Sequence, residues 1–266
     1  MFPMVSARLL IDPPLPGPTN MARDEALLEG CTDPAAAPTL RFYAWSPATI
    51  SLGYFQEWEE YLRLPPPAGE LAVVRRTTGG GAILHDLEIT YSLVIPVGHP
   101  LVAGRPNNLY VAAHEAVIAA IGGEVRMLGS DDAACGESAQ RGPFFCFARR
   151  HGLDVVVKDG LGPGGYSKVA GSAQRRTGQA ILQHGSIILD SRYPQQPAAT
   201  WSAVAGSRGG LGFDSAARCL PAAFAARLGV TFVRDEWKAA ELAAAQRLER
   251  RYAGEGWTRH RRRDNG

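Results

Sequence analysis

Short apolar segments alternate with glycine- and proline-bearing breaks along most of the chain. Asn20 as a cap, Asp24 and Glu25 in the first turn and Gly30 at the end predict a short helix, preceded by a proline-rich, irregular segment over 1–18. Residues 40–45 and 49–52 read as strands on either side of Ser46-Pro47, and the three prolines within 64–69 as a loop. Strands are predicted over 71–74, 82–84 and 89–95, around a glycine-rich turn at 77–81. Over 107–121 the period changes: Leu109, Ala113, Val117, Ala120 and Ile121 fall on one helical face. Polar residues over 129–143 predict a loop. Residues 144–147, 154–157, 168–173 and 180–189 suit strands, with a hairpin tip at 159–165. Residues 214–229 and 235–253 are helical in pattern, the second with Leu242, Ala245 and Leu248 aligned. So many closely spaced strands cannot all be joined by crossover helices. The expected class is therefore α/β, with a mixed sheet flanked by helices.

Composition narrows the class of function. With 266 residues, 45% hydrophobic and 20% charged, one domain can bury its own core. No run of ~18 apolar residues predicts a membrane span. The start, MFPMVSARLL, lacks the cationic and apolar succession of a secretory signal, so a cytoplasmic location with reduced thiols is expected. Cys31, Cys135, Cys146 and Cys219 show neither CxxC nor zinc spacing, so neither a disulfide framework nor a metal site is expected. A net charge of +2 does not point to nucleic acid. Arg259 to Arg263, within 259–266, read as a solvated basic tail. Only Lys158, Lys168 and Lys238 are lysines among 28 basic residues, which favours a specific need for an amine at each.

Two strings carry candidate chemistry. The first is Arg75-Arg76-Thr77-Thr78-Gly79-Gly80-Gly81-Ala82-Ile83-Leu84-His85-Asp86. Gly79, Gly80 and Gly81 let the backbone approach a ligand closely, and Arg75 and Arg76 at a strand end suit an anion. A tight hairpin with surface arginines is the plainer reading. A strand follows the glycines, which excludes a P-loop or a dinucleotide fingerprint. His85 is a candidate to line the site. Asp86 points to the opposite face of the strand and is expected to hold the turn through backbone N–H groups. The second string runs Lys168-Val169-Ala170-Gly171-Ser172-Ala173-Gln174-Arg175-Arg176, followed by Leu182-Gln183-His184-Gly185-Ser186. Strict alternation puts Lys168, Ala170 and Ser172 on one face and Val169, Gly171 and Ala173 on the other. The small residues leave a groove for a thin ligand. His184 reads as a satisfied core histidine.

Together these strings resemble the biotin/lipoate protein ligase and acyltransferase superfamily, over about residues 20–259. The resemblance implies a class II aminoacyl-tRNA synthetase-like catalytic domain over 19–258, with a mixed, largely antiparallel sheet. The segment from Leu84 to Ser92 is similar to the HD-x-E-L-T-Y-S pattern of octanoyltransferases with a mid-chain cysteine, and Glu88 stands where ligases prefer glycine. Phe145-Cys146-Phe147 sits where those transferases carry their nucleophile, and Arg251-Tyr252-Ala253 with Glu255-Gly256-Trp257 resembles their closing helix. The function implied is transfer of an octanoyl group from octanoyl-acyl carrier protein, through a thioester on Cys146, to a lysine of a lipoyl domain such as glycine cleavage H protein. Cys146 is preferred to Cys135 because aromatic neighbours shield a thioester from water. Lys168 is expected to donate to the developing oxyanion, and Lys168 or the Arg149-Arg150 pair to favour the thiolate. Gly79 to Ala82 and Ala170 to Ala173, among them Gly171 and Ser172, are expected along the acyl chain. No cofactor is implied, and ATP only if the chain is instead a lipoate ligase, a reading the triple glycine favours. The same strings would also suit an amidotransferase acting between lipoyl domains, or a non-catalytic module that binds lipoylated proteins.

Overall fold

The computed structural model describes residues 5–102, 107–129, 142–206 and 210–262. The strands are β1 (Val5–Ile11), β2 (Thr39–Tyr43), β3 (Thr49–Leu52), β4 (Ala72–Arg75), β5 (Ile83–His85), β6 (Glu88–Pro96), β7 (Val125–Met127), β8 (Val155–Lys158), β9 (Tyr166–Arg176), β10 (Ala180–Ile188) and β11 (Val230–Arg234). The longer helices are α1 (Gly17–Gly30), α2 (Asn108–Ile121), α3 (Phe213–Leu228), α4 (Ala239–Ala253) and α5 (Glu255–His260). One sheet runs β11-β1-β2-β6-β10-β9-β8-β7, and a smaller one β4-β3-β5. Only the β11–β1–β2 edge of the large sheet is parallel; every other pairing in it is antiparallel. The mixed, largely antiparallel expectation holds.

The large sheet is buried on both faces. In β6, Ile89, Tyr91, Leu93 and Ile95 meet α2 and α3 in the main core, which also holds Leu109, Val117, Leu220 and Phe224. Their alternates, Thr90 and Ser92, are equally buried on the other face. There α1, packed on the C-terminal helices, and the small sheet form a second layer. The apolar stripe expected over 107–121 is therefore α2's core face, and α3 ends on Gly229, in the left-handed region at φ 65°. Among the described residues no helix is long and apolar enough to cross a membrane.

Several sequence expectations change. Residues 5–11 are not irregular: they form β1, paired in parallel with β2 and β11. α1 begins four residues earlier than predicted, with Pro18 in its first turn, where a missing N–H costs nothing. Asn20 is inside the helix rather than capping it, and its amide donates to the carbonyls of Leu15 and Ala44. Residues 144–147 are not a strand: Cys146–Ala148 is a 3-10 turn. The tail is not free from 259 onward. Arg259 lies in the last turn of α5 and Arg261 pairs with Glu57, while residues 263–266 lie outside the described residues.

α1 is tied to the sheet by a buried charge cluster. Arg41, fully buried, donates to Asp12 at 2.8 Å and to Asp24 at 2.7 Å. Burial alone would raise the Asp12 carboxyl; Arg41, Trp237 and Arg23 outweigh it and hold it below its ordinary range. Burial likewise opposes ionisation of Asp24, but His184 and Arg41 hold that carboxyl low as well. Both folded values lie below the unfolded ones. Their contribution is complete above the ordinary carboxylate range, near pH 4, and lost as pH falls through the lowered values. In Arg41→Met two buried carboxylates lose the cation they share, while Arg23 remains on Asp12 and His184 on Asp24. Urea unfolding near pH 7 should show a loss of about 3–5 kcal/mol. The deficit should shrink toward acid pH, because the orphaned carboxyls then titrate upward and their protonated forms favour the fold.

Candidate active site

A pocket of roughly 410 Å³ lies between the two sheets, with Met21 of α1 among its walls. Its floor crosses the large sheet from Tyr43 beside Trp45, through Thr90 and His184, to Gly171 and Ala173; its roof holds Ser51, Arg76, Gly79, Gly80, Ile83 and His85. Cys146 closes the side above β9.

The cysteine is placed by the glycine turn. Ala82 N–H donates to the Phe144 carbonyl at 2.9 Å, and Cys146 N–H donates back to the Ala82 carbonyl at 2.7 Å. A Cβ built on Gly81 would lie 2.9 Å from Cys146 N and 3.0 Å from its Cα, so glycine is what permits this approach. Gly80, at φ 93°, turns the chain just before it. Gly79 and Gly80 line the pocket, while Gly81 lies beneath the cysteine.

Lys168 meets Cys146 from β9. Its Nζ is 3.4 Å from Cys146 Sγ, 3.5 Å from the Cys146 carbonyl and 2.8 Å from Asp154 Oδ1. Burial would lower this amine, but the charges of Asp154 and then Cys146 outweigh it and raise it, so Lys168 is an ammonium. The side chain reaches the sulfur because β9 is bulged: Val156 faces Lys168 while Val155 faces Ala170, leaving Val169 as the extra residue. Val169 and Ala170 both join the main core. The expected alternation is therefore corrected. Lys168 shares its face with Gly171 and Ala173, not with Ala170 and Ser172. A Cβ on Gly171 would fall 2.3 Å from Lys168 Cε, so the bent lysine occupies the space a side chain would take. Ser172 borders the pocket, but its hydroxyl bonds Tyr91 at 2.6 Å and His114 Nε2 at 2.5 Å, both partners belonging to the α2-covered face.

The two arginines separate. Arg75 is not an anion-binding residue: its guanidinium donates to the carbonyls of Gly53, Tyr54, Gln56 and Thr258, and its own carbonyl accepts from Trp257. It fastens α5 to the loop after β3. Arg76 lines the pocket. Its Nη2 donates to the carbonyls of Gly79 and Gly81 at 2.7 Å, Nη1 to the Ser51 carbonyl and hydroxyl, and Nε to Thr78 Oγ1.

Two histidine–carboxylate pairs flank this guanidinium. Ser51 Oγ is 2.8 Å from His85 Nε2, and His85 Nδ1 is 3.2 Å from Glu88. Thr78 Oγ1 is 2.7 Å from His184 Nε2, and His184 Nδ1 is 3.0 Å from Asp24. Because Arg76 donates into both hydroxyls, their protons are free for the Nε2 atoms, which assigns a ring proton to Nδ1 facing each carboxylate. His85 also stacks on Trp45 at 3.8 Å. Burial pushes its imidazole below the ordinary value, and Glu88 opposes that. His184 is thus not a plain core histidine, and Asp86 holds no turn: it pairs with Arg192 outside the pocket.

The predicted Cys146, Lys168, Arg76, Gly79, Gly80, His85, Gly171 and Ala173 come together here. Cys135 lies outside the described residues. Arg150 donates to the carbonyls of Phe147, Arg149 and Tyr166. Sequence reasoning missed Asp154 and Asp24 as partners of pocket residues. His184 carried a signal, its place inside the second string, but neither aspartate is marked locally.

The family model for the lipoyl protein ligase A/B catalytic domain matches residues 16–208. The octanoyltransferase LipM of Moorella thermoacetica is 43% identical over 178 residues, covering 64% of this chain and 60% of that protein. That of Clostridioides difficile is 37% identical over 177 residues, covering 65% and 62%. The match spans about three fifths of the length of these curated relatives. Among solved structures, lipoate-protein ligase A bound with ATP aligns with a TM-score of 0.72 and 21% identity, over 96% of this chain and 98% of that one. An archaeal bi-partite lipoate protein ligase from Thermoplasma acidophilum gives 0.70 and 22%, over 97% and 98%. The shared architecture is the class II synthetase-like α/β fold. On sequence and on fold alike, the chain belongs to the lipoyl protein ligase A/B catalytic-domain family.

Proposed function

We propose that this chain is a protein octanoyltransferase, moving an octanoyl group from octanoyl-acyl carrier protein to a lysine of a lipoyl domain such as glycine cleavage H protein. The observation that carries this reading is Cys146 Sγ in the pocket wall, 3.4 Å from the Lys168 ammonium. The curated octanoyltransferase relatives support it.

In the first half-reaction the Cys146 thiolate attacks the donor thioester carbonyl. A carbon–sulfur bond forms, the carbonyl electrons move onto oxygen, and the carrier's thiolate leaves as the carbonyl re-forms. Lys168 Nζ donates toward the negative oxygen and then toward the sulfur. Such a donor is worth ~3 kcal/mol of barrier. In the second half-reaction the neutral amine of the acceptor lysine attacks the Cys146 thioester, the sulfur departs as thiolate, and the amide nitrogen gives its extra proton to solvent. Lys168, held as an ammonium by Asp154, serves both steps as a donor rather than as a base. Burying the eight-carbon tail against Met21, Trp45 and Ile83 contributes roughly 5 kcal/mol at ~0.8 kcal/mol per methylene.

Intact mass measured after mixing with octanoyl-acyl carrier protein should show one octanoyl adduct, absent in Cys146→Ala. An adduct that persists in that variant sinks the assignment. The triple glycine of the roof favours a second reading, an ATP-dependent lipoate ligase. Pyrophosphate release on adding lipoate and ATP, with no adduct from the acyl carrier, would decide for it.

A further inference from the structure

The charges around Cys146 do not pair as its nearest neighbour suggests. Lys168 is closest, but its ammonium is matched by Asp154 at 2.8 Å, so that pair brings almost no net charge to the sulfur. Arg76 is different. It is 3% exposed, its guanidinium donates only to neutral oxygens, and among the described residues no carboxylate pairs with it. A buried cation without an anion is unfavourable and calls for a compensating charge close by. Gly81 touches both: its carbonyl accepts from Arg76 Nη2 at 2.7 Å, and a Cβ on it would lie 2.7 Å from Arg149 Nε and 3.0 Å from Cys146 Cα.

We propose that Arg76 is the counter-charge of the Cys146 thiolate, and that Lys168, neutralised by Asp154, orients the reacting atoms without supplying that charge. The inference rests on reading Cys146 as the acyl-accepting thiol. Arg76 acts through space, as a positioning residue for charge, because its N–H groups are committed to the glycine turn and to Ser51 of β3.

The other charged groups fit this assignment. Burial lowers the Arg76 guanidinium to about 10; Cys146 opposes that change, while Arg149 and Arg75 add to it. Arg75 turns toward α5, its Nε donating to the Thr258 carbonyl and its Nη1 to three carbonyls of the loop after β3, while its buried Nη2 has no partner among the described residues. Arg149 lies nearer the rim, with Nε on the Pro143 carbonyl at 2.6 Å, where solvent screens it more. Tyr43 and Tyr110 are neutral phenols, Tyr110 pushed up to about 12 by burial. Glu88 and Asp24 reach Arg76 only through His85–Ser51 and His184–Thr78.

The test is the pH profile of Cys146 alkylation by iodoacetamide, followed on its own peptide by mass spectrometry in the full chain. It needs no acyl donor. A missing octanoyl adduct beside an unchanged alkylation profile would count against the octanoyl reading alone. In Arg76→Gln the alkylation midpoint should rise by at least one pH unit. Arg76→Lys, which loses the same hydrogen bonds but keeps the charge, should stay within about half a unit of wild type. Equal shifts in both variants would overturn the proposal, because they would report only a displaced turn. Should Arg76→Gln fail to fold, the paired Lys168→Met/Asp154→Asn variant decides. It removes a neutral pair and should leave the midpoint within about half a unit; a rise of one unit or more would make Lys168 the counter-charge and overturn the assignment.

Discussion

Lys168→Arg should lower octanoyl transfer at least ~100-fold in protein that still folds, the size of effect seen when a single transition-state donor is lost. The charge survives this substitution, but the shape does not. The wild-type ammonium sits in a slot bounded by Asp154 at 2.8 Å, Cys146 Sγ at 3.4 Å and the bare Cα of Gly171. A planar guanidinium, longer and with forked donors, can satisfy Asp154 only by leaving the sulfur or by moving Gly171. Lys168→Ala should cost at least as much, since it also strands Asp154 in a buried site. Arginine at Lys158 or Lys238, both exposed, should be nearly silent. Single-turnover transfer from octanoyl-acyl carrier protein, beside a thermal melt, separates these outcomes. Near wild-type transfer by Lys168→Arg would show that the amine is not specifically required and would pass the oxyanion role to backbone N–H groups.

Gly171→Ala should disable the same step without touching a charged residue. The added methyl would lie 2.3 Å from Lys168 Cε and 2.6 Å from Nζ, and 3.6 Å from Asp154 Oδ1. Both close contacts are with the far end of a flexible side chain, so the backbone need not move and the lysine yields instead. Displacing a positioned donor by about an ångström is enough for a ~100-fold loss. Stability should change by less than about 1 kcal/mol, within the usual range for a substitution that leaves the core packed. Gly185→Ala makes a useful contrast. Its methyl would meet Tyr91 and the Gly171 carbonyl at 2.7 and 2.9 Å, so there the fold itself should suffer. If Gly171→Ala transfers octanoyl at the wild-type rate, the lysine reaches the sulfur by another path and the slot is not what positions it.

How far the sequence reveals this site depends on how local each interaction is. The glycine turn, Cys146 and Lys168 are legible because each lies in a short string with its own pattern. Most strands are legible from their apolar runs. β1 is not, because the prolines at 13, 14, 16 and 18 mask the apolar residues before them. Arg75 and Arg76 are adjacent and look equivalent, yet strand alternation sends one toward α5 and the other into the pocket. Asp154 and Asp24 lie 14 and 160 residues from Lys168 and His184, distances that carry no spacing rule. His184 reads as core because a histidine in an apolar run usually is; its role depends on α1 delivering Asp24 across the sheet. The bulge is hidden for a different reason. Val169 and Ala170 are both small and apolar, so nothing in the letters marks where the alternation slips.

That slip divides β9 into two stretches of opposite parity. Before Val169 the even-numbered Lys168 meets Cys146; after it the odd-numbered Gly171 and Ala173 line the pocket, while the Ser172 hydroxyl bonds Tyr91 and His114. The lysine that meets Cys146 and the small residues of the pocket wall thus stand in two parities of one strand. A residue gained or lost upstream of the bulge would swing the lysine away from the sulfur and leave the small-residue wall in register with β10. One gained or lost between Ala170 and His184 would keep the lysine and disturb the wall. The two phases meet at Gly171, which lines the pocket and also leaves the space that the Lys168 side chain fills, so the wall is freer to vary at Ala173 than at Gly171.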